Sequence, residues 1–192
     1  MVWSIIGLES KVFARVIAAL GALFKLNNHL VSDSIEVFMK IVSVNNSNMH
    51  VYANLYQGYA TEFSKIIDDK PDENGLFEIY PMIEGNVSGY LLYIDDRPAA
   101  LTAIQEKSAK EYEICDFYVL PCFRKNKLGK DFITNLFKRL EGSWEIKQVA
   151  GAEHAVKFWQ NVVSDYTSGM FIEDKYLDEK WGLVTRQRFS HT

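Results

Sequence analysis

Between Asp116 and Lys130 the chain reads DFYVLPCFRKNKLGK, a stretch dense in groups able to do chemistry. Arg124, Lys125, Lys127 and Lys130 crowd the start of an amphipathic helical pattern whose apolar positions are Leu128, Phe132, Leu136 and Leu140. Cations are misplaced at a helix N-terminus, where the macrodipole is already positive. The arrangement makes sense when an anion sits there, because free backbone N–H groups and added cations together cradle a phosphate. The plain alternative is a basic loop whose lysines point into water. Neither the Gly-x-x-x-x-Gly-Lys-Ser/Thr loop nor a glycine-rich dinucleotide fingerprint is present. Just upstream, Glu113 and Asp116 lie on the strand that feeds the loop, and either carboxylate is a candidate general base. Strand alternation places them on opposite faces. Ordinary ion pairing is the alternative for each.

A loop of this kind needs a strand to deliver it and a helix to carry it. The pattern predicts a strand over Ile35–Val44, ended by the Asn45–Asn48 cluster, which also supplies a helix cap. A helix follows over Met49–Ile67, with Tyr52, Leu55, Tyr59, Phe63 and Ile66 on one face. Residues 68–86 read as a loop. A three-strand meander comes next, over Ser88–Ile94, Ala99–Gln105 and Tyr112–Leu120, with turns at Asp95–Pro98 and Glu106–Lys110. Beyond the basic helix lie a strand over Trp144–Val149, a helix over Glu153–Val163, and a hairpin of Thr167–Ile172 with Lys180–Phe189. The strand–helix–strand unit implies one parallel pair inside an otherwise antiparallel sheet.

The first thirty residues stand apart. Phe13, Val16, Ile17, Leu20, Leu23 and Phe24 recur at helical spacing, with Lys11, Arg15 and Lys25 on the opposite face. The apolar run Val16–Phe24 is far short of the ~18 residues of a membrane span. Three readings stand open: a helix packed on its own domain or a partner chain, a basic amphipathic helix on a membrane surface, or a signal or upstream segment. Residues 1–31 are therefore set off as an amphipathic helical extension, and residues 35–192 as the functional domain. The formal net charge of −4 gives the chain no electrostatic footprint for nucleic acid. Cys115 and Cys122 match no metal or redox spacing and read as reduced, mostly buried thiols. The four histidines are scattered, so no metal site is expected.

The run strand–Pro–x–x–Arg–basic–x–x–hydrophobic–Gly–helix resembles the coenzyme A-binding motif of the GNAT N-acetyltransferases, Gln/Arg-x-x-Gly-x-Gly/Ala. Arg124 is its leading residue and Gly129 its final glycine. The element order is also similar. Trp144-Glu145-Ile146, Ala155 to Trp159 and Tyr166 to Phe171 resemble a poorly characterised subgroup of predicted acetyltransferases. The resemblance covers about Ile35 to the end. It implies an α/β mixed sheet of about seven strands with helices on both faces, the GNAT acyl-CoA acyltransferase fold.

The resemblance also implies acetyl-CoA as co-substrate, held by Arg124, Lys125, Asn126, Lys127, Leu128, Gly129 and Lys130, with backbone near Tyr118 and Val119 on the pantetheine amides. The acceptor is an amine, deprotonated by Asp116 or, second, Glu113. Tyr56 and Tyr59 line the acceptor wall or simply pack in the core, and Trp159 lies beside the pantetheine or in the core. Three positions depart from the family pattern. Lys127 replaces the first motif glycine, Trp159 stands where many members have a proton-donating tyrosine, and Ala152 replaces a common asparagine. The expected protein is a cytoplasmic acetyltransferase, monomer or homodimer. A non-catalytic acyl-CoA-binding domain, or a protein acting through its N-terminal helix, is the rival.

Overall fold

Alternating apolar residues build the centre of the molecule. Residues Ala99 to Ile104 are all buried, and neighbouring side chains of the strands feed two separate apolar clusters. In the computed structural model, which describes residues 38–191, these residues lie in a seven-stranded sheet. The elements are β1 (Met39–Ser43), α1 (Met49–Ile67), β2 (Val87–Ile94), β3 (Arg97–Ser108), β4 (Glu111–Val119), α2 (Leu128–Arg139), β5 (Gly142–Val149), α3 (Glu153–Thr167), β6 (Ile172–Asp178) and β7 (Gly182–His191). A short 3-10 turn, Pro121–Phe123, joins β4 to the basic loop. The strand order is β1-β2-β3-β4-β5-β7-β6, and among the described strands only β4 and β5 run parallel. The proposed extension over 1–31, and the start of the first strand at Ile35, lie outside the described residues.

Leu91 and Leu101 join Tyr52, Leu55 and Tyr56 of α1 on one face of the sheet. Leu92, Ile104, Ile114 and Ile146 join Phe132, Phe137 and Trp159 of α2 and α3 on the other. Helices therefore cover both faces, as the resemblance implies.

Local chemistry shifts several boundaries. Asn48 precedes α1, but its side chain makes no cap. Its Oδ1 accepts from the Asn45 N–H at 2.7 Å and its Nδ2 donates to the Ser43 carbonyl at 3.0 Å, so the cluster fastens the turn instead. The β2–β3 turn is shorter than expected: Asp95 and Asp96 both take positive φ, the geometry of a two-residue hairpin. Pro98 then falls inside β3, beside an irregularity between Leu92 and Tyr93. The terminal hairpin is displaced. Helix α3 continues to Thr167, with Val162 and Val163 buried, and stops at Ser168 in the left-handed conformation. The charged run Ile172–Asp178 is the edge strand β6; charge on an edge discourages unwanted pairing.

Candidate active site

The parallel pair does not stay paired. β4 and β5 are in register from Glu111–Ser143 to Ile114–Ile146, yet β4 continues to Val119 and β5 to Val149. Beyond Ile114 the two strands separate. The Leu120 N–H donates to the Ala99 carbonyl at 2.9 Å, in register with Tyr118 opposite Leu101. By antiparallel alternation, Tyr118 also spends its backbone on β3, while Phe117 and Val119 turn theirs toward the opening. Of the two residues whose backbone is expected on the pantetheine, Tyr118 is thus turned to β3 and Val119 to the opening, where Phe117 joins it.

One extra residue on β4 changes the faces. Ala103 opposes Asp116 while Ile104 opposes Ile114, which leaves Cys115 as a bulge. Simple alternation sets Glu113 and Asp116 on opposite faces. With the bulge, Ile114 packs among the α2 and α3 residues, and both carboxylates lie on the α1 face. Their surroundings differ. Glu113 is held by Lys147 at 2.7 Å and Lys107 at 3.2 Å, within a network that reaches Glu145 and Arg186. It is a paired structural carboxylate.

Asp116 makes no ion pair among the described residues. It is 4% exposed, and its Oδ2 has no hydrogen-bond partner among them either. Burial pushes its carboxyl up from 3.8 to about 7, and the Tyr59 hydroxyl holds the rise back. Burial, with Asp116 beside them, drives the Tyr52 and Tyr59 hydroxyls well above the usual phenol range. The Tyr52 hydroxyl and both amide atoms of buried Gln148 on β5 are also without partners among the described residues.

The basic loop divides its cations. Arg124 donates from Nε to the Val119 carbonyl at 2.8 Å, and from Nη2 to both oxygens of Glu62 on α1 at 2.9 Å. Its guanidinium also covers the Tyr118 ring. Lys130 reaches Asp165 on α3 at 2.5 Å. Lys125 and Lys127 are exposed, make no ion pair among the described residues, and both take positive φ, at 75° and 59°. Lys127 immediately precedes α2 and leaves the helix without a side-chain cap. Its first N–H groups are thus open to an anion. Asn126 is exposed and Leu128 half-buried against the core. Gly129 sits where a Cβ would press on Val119 and touch Phe117, so the helix start approaches the opening closely. Of the cradle read from the sequence, the backbone at Lys127–Lys130 and the side chains of Lys125 and Lys127 face outward freely. Arg124 and Lys130 are already engaged.

Trp159 is core: it is 4% exposed and packs edge-on against Phe117, with centroids 5.0 Å apart. Its indole also borders the cleft. The thiols depart from expectation. Cys122 is exposed, because the short Pro121–Phe123 turn gives it nothing to pack on, and Cys115 is only half-buried. Burial pushes the Cys115 thiol up to about 12. Among the described residues no cluster of His, Cys, Asp or Glu is arranged to hold a metal ion, and no helix is long and apolar enough to cross a membrane.

On the α1 side, Tyr56 holds the 68–86 loop. Its hydroxyl donates to the Tyr80 carbonyl and accepts from the Tyr80 N–H, each at 3.1 Å. Tyr56 thereby fastens the loop and also lines the cleft, while Tyr59 lines it and faces Asp116. Four residues that sequence reasoning did not single out also line this side: Glu62, Tyr80, Lys180 and Trp181. Glu62 had a legible signal, being three residues beyond Tyr59 on the same helix. The others come from distant loops.

One cleft of about 1460 Å³ joins these parts. Tyr59, Asp116 and Tyr118 line it on the α1 face, and Phe117, Phe158 and Lys127 on the α2 and α3 face. The cleft passes through the sheet where β4 and β5 part. No family model and no curated protein sequence matches the chain.

Solved structures do match. An acetyltransferase from Thermus thermophilus superimposes with a TM-score of 0.58 at 12% identity, covering 79% of this chain and 96% of that one. An acetyltransferase of the GNAT family from Staphylococcus aureus gives a TM-score of 0.55 at 12% identity, covering 80% and 99%. The chain has the GNAT acyltransferase fold. Another protein of the GNAT fold, a ribosomal L7/L12 alpha-N-protein acetyltransferase in complex with coenzyme A, matches with a TM-score of 0.56 at 9% identity, covering 80% and 94%.

Proposed function

We propose that the protein transfers an acetyl group from acetyl-CoA to a primary amine by direct attack within a ternary complex. The supporting observation is the through-sheet cleft, with Asp116 on one side of the opening and the basic helix start on the other. Its volume of about 1460 Å³ exceeds the ~300–1,000 Å³ of an ordinary single-ligand pocket. Two substrates can enter from opposite faces and meet where the strands part.

The residues present fit acetyl-CoA. The uncapped N-terminus of α2, with Lys125 and Lys127, suits the diphosphate, and the backbone of Phe117 and Val119 suits the pantetheine amides. Acetyl-CoA supplies an activated acetyl thioester. Asp116 accepts the proton from the acceptor ammonium, directly or through water, so that a neutral nitrogen attacks. The C–N bond forms as the C–S bond breaks. Backbone N–H groups at the opening stabilise the charge developing on the carbonyl oxygen. The acylated nitrogen then loses its remaining extra proton and the thiolate gains one. Trp159 cannot act as an acid, so this transfer runs through water or through His154, which also lines the cleft. The raised Cys115 thiol argues against an acetyl-cysteine relay.

The test is incubation with acetyl-CoA and a panel of primary amines, following free thiol release and product mass. Amine-dependent thiol release supports the reading. Binding of acetyl-CoA without any turnover would leave the non-catalytic acyl-CoA-binding alternative in its place.

Glu62 competes with the diphosphate for Arg124. Because both side chains of the pair are 41% and 45% exposed, their bond contributes at most about 1 kcal/mol to stability. Glu62→Gln is expected to tighten acetyl-CoA binding by about two- to fivefold in calorimetry. Unchanged or weakened binding would mean that Arg124 is not recruited to the cofactor.

A further inference from the structure

At the mouth of the cleft on the α1 face, the chain has already placed an ammonium group against aromatic rings. Lys180 Nζ lies 3.5 Å from the centroid of the Tyr80 ring and 4.7 Å from that of Trp181. Tyr80 comes from the 68–86 loop and Trp181 from the β6–β7 turn. Both are fixed from behind. The Tyr80 backbone is held by Tyr56, and the Trp181 ring rests against Phe63 at 6.3 Å while its backbone N–H donates to Asp178 at 3.0 Å. Ring faces that hold a cation at this distance do so through the quadrupole, and they accept any ammonium of similar size.

Tyr80 connects by successive contacts to the buried carboxylate. Tyr56 bonds the Tyr80 backbone, the Tyr56 and Tyr59 rings meet at 5.5 Å, and Tyr59 bears on Asp116. The unpartnered Oδ2 of Asp116 is thus at one end of an aromatic wall and the Lys180 ammonium at the other. Glu78 and Asp69 also line the cleft, and neither is in an ion pair among the described residues. The cations on this side are Arg124 and Lys147, which are neutralised by Glu62 and Glu113, Lys70, near Asp68, and Lys180 itself.

We infer that Tyr80 and Trp181 form a second-cation subsite for the acceptor, with Lys180 holding the place until an acceptor arrives. The inference rests on the acetyl-transfer reading for the reactive end of that acceptor. The acceptor class is then a diamine or polyamine: one amine meets Asp116 and is acetylated, and a distal ammonium displaces Lys180 from the two rings. Displacement is easy because Lys180 is exposed and sits on a flexible stem.

Binding and turnover can be read separately. Cadaverine and spermidine are titrated against n-pentylamine by calorimetry with the full chain, and the same amines are compared for kcat/KM with acetyl-CoA. Wild type is expected to bind the better polyamine about tenfold more tightly than n-pentylamine. Lys180→Met is expected to widen that ratio by vacating the rings, and Trp181→Leu to collapse it. Equal binding of polyamine and monoamine, or a ratio indifferent to Lys180→Met, overturns the subsite. Selective polyamine binding without acetylation supports the subsite and sinks only the acetyl-transfer reading.

Discussion

Replacing Asp116 by asparagine is expected to lower kcat/KM for the amine by about 10²–10⁴-fold at neutral pH, the usual contribution of a positioned general base. Affinity for acetyl-CoA should change little, because Asp116 lies on the other side of the opening from the basic loop. The pH profile carries a further signature. A base with its carboxyl raised to about 7 gives a rate that climbs through that pH as the proton leaves, and Asp116→Asn should lose this limb.

The same substitution should stabilise the protein, with a definite pH dependence. The folded-state value near 7 is above the ordinary carboxyl value of 3.8, so between them the folded chain binds the extra proton. Stability then falls as pH rises from about 4 through about 7, and above that the cost of the buried charge is fully present. That cost is on the order of a few kcal/mol. Asparagine carries no charge at any pH. Urea unfolding at pH 5 and pH 8 should show the variant gaining on wild type at the higher pH. An equal difference at both would mean that Asp116 ionises like an exposed carboxylate.

The second large effect lies at the closed end of the splay. Gly142 has φ 155°, and a Cβ there would run into the Lys110 backbone carbonyl. That carbonyl accepts from the Ser143 N–H at 2.8 Å, the bond that seats β5 beside β4. Gly142→Ala must therefore strain the backbone or push β5 away from the strand that carries Asp116. Adding backbone strain to overpacking gives a loss of about 3–5 kcal/mol in chemical unfolding. A loss below about 0.5 kcal/mol, the range of an ordinary surface change, would show that the register has slack.

Much of this architecture is legible in the sequence. The strand–helix–strand order marks one parallel pair in an antiparallel sheet, and the strand–loop–helix run after Asp116 locates the basic rim. What escapes reading depends on pairing between distant segments. The Cys115 bulge exists only relative to Ala103 and Ile104, so nothing on β4 itself announces that Glu113 and Asp116 share a face. The choice between Phe117 and Tyr118 is likewise made by the bond from Leu120 to Ala99. Arg124 reads as a free cation, and its pairing with Glu62 shows only once α1 is brought beside the loop; Tyr80 meets Lys180 only because two loops converge. The β6 strand escapes for a different reason: its charges and exposed Leu177 lack the alternation of a half-buried strand, as an edge permits.

The most direct measurement is calorimetric titration of the full chain with acetyl-CoA, beside a Lys125→Ala/Lys127→Ala variant. Micromolar binding by wild type, weakened at least about tenfold in the variant, is the expected result for a diphosphate seated at the start of α2. No binding by wild type, or equal binding by both proteins, would contradict the placement of acetyl-CoA in this cleft.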